Sequence, residues 1–405
     1  MGRRGTGVAL ALGTGAAGAA LNLFGRRPPW RRYPWYIAGL VPGLVGSELG
    51  GPAATAQAAA AGLALGLGAG RSRVGATGLA VAAAGALGLA GLHRSSVAAV
   101  DVLDAALVEA LGPGTPGIGT EPDLVPVRAP LANLLVDRDV RYHDEAPEQV
   151  LDIWRRPGRD PERPSPVLLY VHGGSWTGGT KRQQSTYLTA QLARRDWLCL
   201  SIDYRLGPKH RWPTQIVDVK RALAWVKANI SRYGGDPSFV AVCGGSAGGH
   251  LAALAALSGN DPAFQPGFED ADTSVQAAGL LYGVYDFTVL NDDGLPRLRN
   301  HVRAAMFDAD LDDDRPTWEA ASPTWRLDAA APPMFVVHGD RDEVVEATTA
   351  RKFAERAREV TRQPFAYAEL PYAHHAFDFL PSPRARATGR AMSRFFEAVR
   401  ARQEL

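Results

Sequence analysis

The chain has 405 residues, 44 lysines and arginines against 42 acids, and a formal net charge of +2. That balance exerts no long-range pull on nucleic acid, so no nucleic-acid partner is expected. Its two cysteines, Cys199 and Cys243, imply no disulfide framework. No phosphate-cradling glycine loop, zinc-ligand spacing or dinucleotide fingerprint occurs, so neither a cofactor nor a metal is expected.

The first hundred residues are mostly alanine and glycine. Between Arg4 and Arg26 lie 21 uncharged residues, between Glu48 and Arg71 another 22, and between Arg73 and His93 a further 19. A shorter run covers Tyr33 to Ser47. Lengths near 20 residues suit membrane-spanning helices, and small side chains let such helices pack closely. Residues 1–95 therefore read as a membrane region of three to four spans, with a soluble Ala/Gly-rich helical bundle as the alternative. Basic loops follow the first run (Arg26, Arg27, Arg31, Arg32) and the third (Arg71, Arg73). With both loops cytoplasmic, four spans would leave both termini, and the bulk of the chain, outside. Residues 96–125 read as a connecting helix, Val97 to Leu111, followed by a Pro/Gly linker.

From residue 126 onward strand and helix patterns alternate. Strands are expected near 137–142, 149–154, 167–171, 197–203, 239–243, 277–283, 334–338 and 365–370, with helices near 182–195, 214–233, 246–258, 345–360 and 385–402. Such alternation predicts an α/β domain with a mostly parallel sheet covered by helices on both faces, and functional residues at the carboxyl ends of its strands.

Three of those strand ends carry chemistry. The run Val167–Val171 leads into His172-Gly173-Gly174-Ser175-Trp176, whose glycines leave backbone N–H groups unobstructed. The run Phe239–Cys243 leads into Gly244-Gly245-Ser246-Ala247-Gly248-Gly249-His250 and then an Ala/Leu-rich helix. A serine on a tight strand-to-helix turn is what a nucleophile elbow requires. The N–H groups of Gly173, Gly174 and Ala247 would then form an oxyanion hole. A serine hydroxyl needs a base and an orienting acid. Asp340, Asp342 and Glu343 follow the strand ending at His338, and His374 and His375 follow the strand ending at Leu370. The order Ser, Asp, His is that of α/β-hydrolases.

With these motifs in order, residues from about 130 onward resemble an esterase of the α/β-hydrolase superfamily, in the branch similar to hormone-sensitive lipase. The resemblance implies Ser246 as nucleophile, Asp342 as orienting acid and His375, in His-Ala-Phe, as base. It departs from the commonest oxyanion motif at Ser175, where a third glycine is usual, and His374 beside His375 leaves the base assigned by register. Asp340 is expected to cap or turn its loop, and Glu343 to be solvated. His172 is expected to position the oxyanion loop by hydrogen bonding, and His250 to pack or cap.

Residues 286–324 are too long for an ordinary connection and read as a lid insertion. Within them, the acidic run from Asp308 to Glu319 resembles a calcium loop, but Asp313 stands where a glycine is needed, which favours an acidic helix N-terminus. Trp176, Trp212, Tyr282 and Tyr285 are candidate walls of an acyl pocket, with core packing as their competing role. The expected activity is that of a membrane-anchored serine carboxylic-ester hydrolase acting on small-molecule or lipid esters. The alternatives are an amidase similar to kynurenine formamidase and a membrane-tethered module that binds without turnover. Oligomeric state is not legible.

Overall fold

The structure is a computed structural model describing residues 2–26, 35–120, 122–126, 129–160, 162–290 and 295–404, without the side chains of 35–38. Arg27, Arg31 and Arg32 of the first basic loop, and 291–294 of the expected lid, lie outside the described residues. The chain divides into two compact units. One comprises residues 102–338, 345–369 and 386–405; the other gathers residues 1–101 with two short loops, 339–344 and 370–385.

The larger unit is built on an eight-stranded sheet: β1 (Leu135–Arg141), β2 (Val150–Arg155), β3 (Ser165–Val171), β4 (Leu198–Ile202), β5 (Gly235–Gly245), β6 (Ala277–Leu281), β7 (Met334–Gly339) and β8 (Phe365–Leu370). The spatial order is β1-β2-β4-β3-β5-β6-β7-β8. β1 and β2 join antiparallel, whereas β4, β3, β5, β6 and β7 pair in parallel. Parallel strands are covered on both faces, which is why β3, β4 and β6 are apolar and buried along their whole length rather than alternating. Helices in this part of the chain are α5 (Thr186–Ala193), α6 (Thr214–Asn229), α7 (Ala247–Leu257), α8 (Pro296–Met306), α9 (Arg315–Ala320), α10 (Ala347–Val360) and α11 (Pro383–Gln403). The expected strands and long helices all form, and the arrangement is the α/β-hydrolase fold.

The expected lid contains α8 and α9, and it is packed down. Phe287, Val302, Met306, Phe307 and Trp318 are buried. Its acidic run binds arginine and backbone: Asp310 and Asp312 pair with Arg299, and Asp314 accepts from the Thr317 N–H at the start of α9. Among the described residues no cluster of His, Cys, Asp and Glu could hold a metal ion.

The N-terminal region holds α1 (Arg3–Arg26), α2 (Trp35–Glu48), α3 (Gly50–Gly66) and α4 (Arg73–Leu111). Close helix contacts are made through glycine and alanine. A Cβ on Gly7 would meet the carbonyl oxygen of Ala64 at 2.9 Å, and one on Gly15 would meet that of Gly78 at 2.9 Å. Gln57, buried at mid-helix, bonds the carbonyl oxygens of Thr14 (3.3 Å) and Ala82 (2.9 Å) and so joins α3 to its neighbours.

Two expectations are corrected here. The helix expected at 97–111 is continuous with the preceding apolar run, because no residue between Arg73 and Leu111 breaks the helix, so α4 has 39 residues. Arg26 and Arg71 lie at opposite ends of the helical region: Arg4 donates to the carbonyl of Arg71, whereas Arg26 closes α1 at its far end and reaches the carbonyl of Gly88 at 3.5 Å. α2 has 14 residues, with Pro42 inside it.

Candidate active site

Ser246 sits between β5 and α7 with φ 56° and ψ −122°, a conformation that non-glycine residues occupy only under strain. The turn is possible because its flanks have no side chains. A Cβ on Gly244 would lie 2.2 Å from the carbonyl oxygen of Gly248, and one on Gly248 would lie 2.0 Å from that of Val171. Ala247, whose N–H is among the sequence-expected donors, opens α7, where backbone N–H groups have no intrahelical acceptor.

The loop after β3 runs against this elbow: a Cβ on Gly173 would stand 3.0 Å from that of Ser246. The loop is strained, with φ of 132°, 55° and 61° at Gly174, Ser175 and Trp176. Here one expected donor is already engaged. The Gly173 N–H donates to Oε1 of Gln184 at 2.7 Å, so the oxyanion-hole role expected for it is not open in this arrangement. Sequence patterning had no means of showing this, because Gln184 lies eleven residues away in an irregular segment.

His172 Nδ1 donates to the Gly173 carbonyl at 2.7 Å, and its ring stacks on Tyr204 at 4.4 Å. Tyr204 in turn donates from its hydroxyl to the His172 carbonyl at 3.0 Å. Burial holds the His172 pKa below the ordinary value, so the ring is a neutral brace for the loop. His250 also braces the loop. Trp176 Nε1–H donates to His250 Nδ1 at 3.1 Å, which requires the proton on Nε2, and Nε2–H donates to the Ala321 carbonyl at 2.8 Å. Burial pushes the His250 pKa down to about 4, keeping it neutral. One imidazole thus ties the loop after β3, α7 and the insertion together.

The four candidate pocket residues are mostly core. Trp176 is 2 % exposed and packs edge-on to His250 and Phe287. Tyr285 is wholly buried and stacks on Phe353. Trp212 packs against Phe264 and Phe307. Tyr282 is 1 % exposed, beside the elbow at Gly245.

The acid and base loops lie in the other unit and meet there. Asp342 Oδ2 is 2.7 Å from His375 Nδ1, and its Oδ1 accepts the Val344 N–H at 2.9 Å. The carboxylate is therefore held from two directions. Burial lowers the pKa of His375, but the Asp342 carboxylate, with Glu343 and Asp378, outweighs it and leaves the pKa raised. Asp340 accepts the Tyr372 N–H at 2.6 Å and fastens the two loops together. Glu343 departs from expectation: its side chain is 2 % exposed rather than solvated, because His374 Nδ1 lies 3.0 Å from its Oε2.

A family profile described as BD-FAE matches residues 151–357, half of the chain. The chain belongs to the BD-FAE family. It is an α/β-hydrolase of the hormone-sensitive-lipase-like branch. The chain is 42% identical to the probable carboxylic ester hydrolase LipM of Mycobacterium tuberculosis, over 98% of this chain and 94% of that protein. With esterase LipQ of the same organism the identity is also 42%, over 78% of this chain and 79% of the relative. Among solved structures, an inhibited esterase B from Lactobacillus rhamnosis has the same fold, with a TM-score of 0.58 at 20% identity, covering 77% of this chain and 98% of that one. The match to LipM includes the N-terminal helices, since it omits only a fiftieth of the chain.

Proposed function

We propose that this protein hydrolyses carboxylic esters by an acyl-enzyme mechanism, with Ser246 as nucleophile, His375 as general base and Asp342 as its orienting acid. The observation that carries the reading is the 2.7 Å bond from His375 Nδ1 to Asp342, which presents Nε2 as the base, alongside a serine held in a strained elbow. His375 takes the proton of Ser246 as the hydroxyl attacks the ester carbonyl, then returns it to the leaving alkoxide; water repeats the sequence to release the acid. For the oxyanion we assign the N–H groups of Gly174, Ser175 and Ala247. Ser175 takes the place of Gly173, whose N–H is spent on Gln184. Each such donor contributes roughly 3 kcal/mol of transition-state stabilisation.

The reading extends to a membrane. Two helices, Arg3–Arg26 and Arg73–Leu111, are long and apolar enough to span one. On these helices and α3, Leu12, Leu23, Leu63, Leu65, Val74, Val81 and Leu87 are exposed, between 40% and 75%. An outward belt of large apolar side chains around a glycine-and-alanine interior suits lipid. With α2 too short, α1, α3 and the first half of α4 make three crossings. Arg3, Arg4, Arg71 and Arg73 are exposed at one end, and Arg26, also exposed, contacts Asn22, Gly88 and the Tyr372 ring at the other. We place the end that carries Arg3, Arg4, Arg71 and Arg73 in the cytoplasm, and His375 at the opposite, outer end.

Hydrolysis of p-nitrophenyl esters from acetyl to palmitoyl by the detergent-solubilised protein, beside Ser246→Ala, tests the chemistry. Turnover in the native chain that is lost in the variant is expected; a fully active variant would sink the assignment. A cysteine at position 3, in a chain whose own cysteines are buried, tests orientation through labelling of intact cells by an impermeant thiol reagent. No labelling is expected until the membrane is opened.

A further inference from the structure

Two buried histidines stand side by side after β8, and only His375 has been given a task. Both ring nitrogens of its neighbour face acceptors. His374 Nδ1 is 3.0 Å from Oε2 of Glu343, and Nε2 is 3.2 Å from the carbonyl oxygen of Gly25 in the last turn of α1. Carboxylate and carbonyl oxygens only accept, so the ring donates at both positions and is an imidazolium. Its counter-ion is Glu343. The helix end helps as well, because its last carbonyls lack intrahelical partners and carry the negative end of the dipole. Burial disfavours the charge, yet Glu343, the Gly25 carbonyl and Glu48 together leave the pKa raised.

The same loop is fastened twice more. The buried Arg384 guanidinium pairs with Glu48 at the end of α2, while the Arg384 N–H donates to Ser96 Oγ of α4 at 3.1 Å. The guanidinium also bonds the Pro371 carbonyl at 2.8 Å, closing the loop on itself. Gly43 of α2 sits against the His374 ring, where a Cβ would come within 2.9 Å of Cε1.

We propose that His374 is a positioning residue: an imidazolium clamped between Glu343 of the acid loop and the C-terminal end of α1, through which the helical region sets the orientation of His375. The helices are then part of the catalytic apparatus as well as an anchor. The inference rests on His375 being the general base. A displacement of that base by ~1 Å costs on the order of 100-fold in turnover.

The test uses the full-length enzyme in detergent with p-nitrophenyl butyrate, comparing His374→Phe, Gly43→Ala, Gly62→Ala and His375→Ala. His374→Phe removes both bonds but keeps a ring. Gly43→Ala disturbs that ring from α2. Gly62→Ala adds a methyl that meets nothing within 4 Å. For His374→Phe and Gly43→Ala, kcat is expected to fall roughly 10- to 100-fold, with KM little changed and circular dichroism intact, while Gly62→Ala behaves as wild type. In His374→Phe the acid limb of kcat/KM should also move to higher pH. There the Glu343 charge is no longer offset, and with Asp342 and Asp378 it faces His375. Wild-type kcat and an unshifted acid limb in His374→Phe, beside an inactive His375→Ala, would overturn the positioning role. An active His375→Ala would instead overturn the base assignment. Should His374→Phe fail to fold, Gly43→Ala decides: wild-type kcat there overturns the proposal.

Discussion

In the sheet, the wholly buried positions include Leu168 and Leu169 of β3, Val240 and Val242 of β5, and Val336 of β7. In the N-terminal helices, Ala11, Ala64 and Ala82 are wholly buried, while Leu63, Leu65 and Leu87 stand 60%, 59% and 75% exposed. The sheet gains stability by taking large apolar groups out of water. The helices cannot draw on that term along their outward faces; they gain from close backbone approach and from Gln57 bridging two neighbours. The contrast teaches that the two regions are held together by different means, large apolar side chains in one and close backbone approach in the other.

The sharpest division between the regions concerns chemistry. Asp342→Asn preserves size and position but no longer holds His375 in the right tautomer; kcat should fall about 10⁴-fold with the fold intact, as stopped-assay rates and thermal melts would show. Next comes burial. Leu169→Ala should cost ~2–5 kcal/mol of unfolding free energy, whereas Leu87→Ala should leave the melt of the α/β region unmoved and weaken retention in liposomes. Equal losses would erase the distinction.

A further pH effect belongs to the α/β side. The fold holds His250 neutral, with its pKa depressed to about 4 from 6.5. As pH falls from 6.5 towards 4 the unfolded chain takes up a proton that the native state refuses, so stability declines through that window by roughly 3 kcal/mol. His250→Gln should flatten this part of the stability-against-pH curve. Least in size is the bundle's own test. A side chain at Gly18 would collide with the Gln57 amide, so Gly18→Leu should lower the stability of the helical region by about 1–3 kcal/mol, whereas Gly13→Leu, facing open space, should not.

Much of this was legible in the sequence, for identifiable reasons. The buried runs Val167–Val171 and Phe239–Cys243, each ending in glycines, announced strands with loops at their carboxyl ends, and both form there. The elbow could be read because Gly244 and Gly248 flank Ser246 between a strand pattern and a helix pattern. What escaped notice depends on distance along the chain. The capture of the Gly173 N–H by Gln184, the burial of Glu343 and the grip of α1 on His374 all join residues whose local patterns say nothing of one another. The sequence pattern separates the apolar run before His93 from the helix at 97–111, yet no proline lies between them and α4 continues through.

The three ties between the 370–385 loop and the helices span 288, 336 and 349 residues of sequence. A ribosome makes the helices first, and they are complete long before the base loop exists. Contacts of such separation are the last to close during folding. On this account the nascent chain carries its serine elbow for some 130 residues of further synthesis before His375 emerges, and only then can the loop after β8 settle onto the helices made before it.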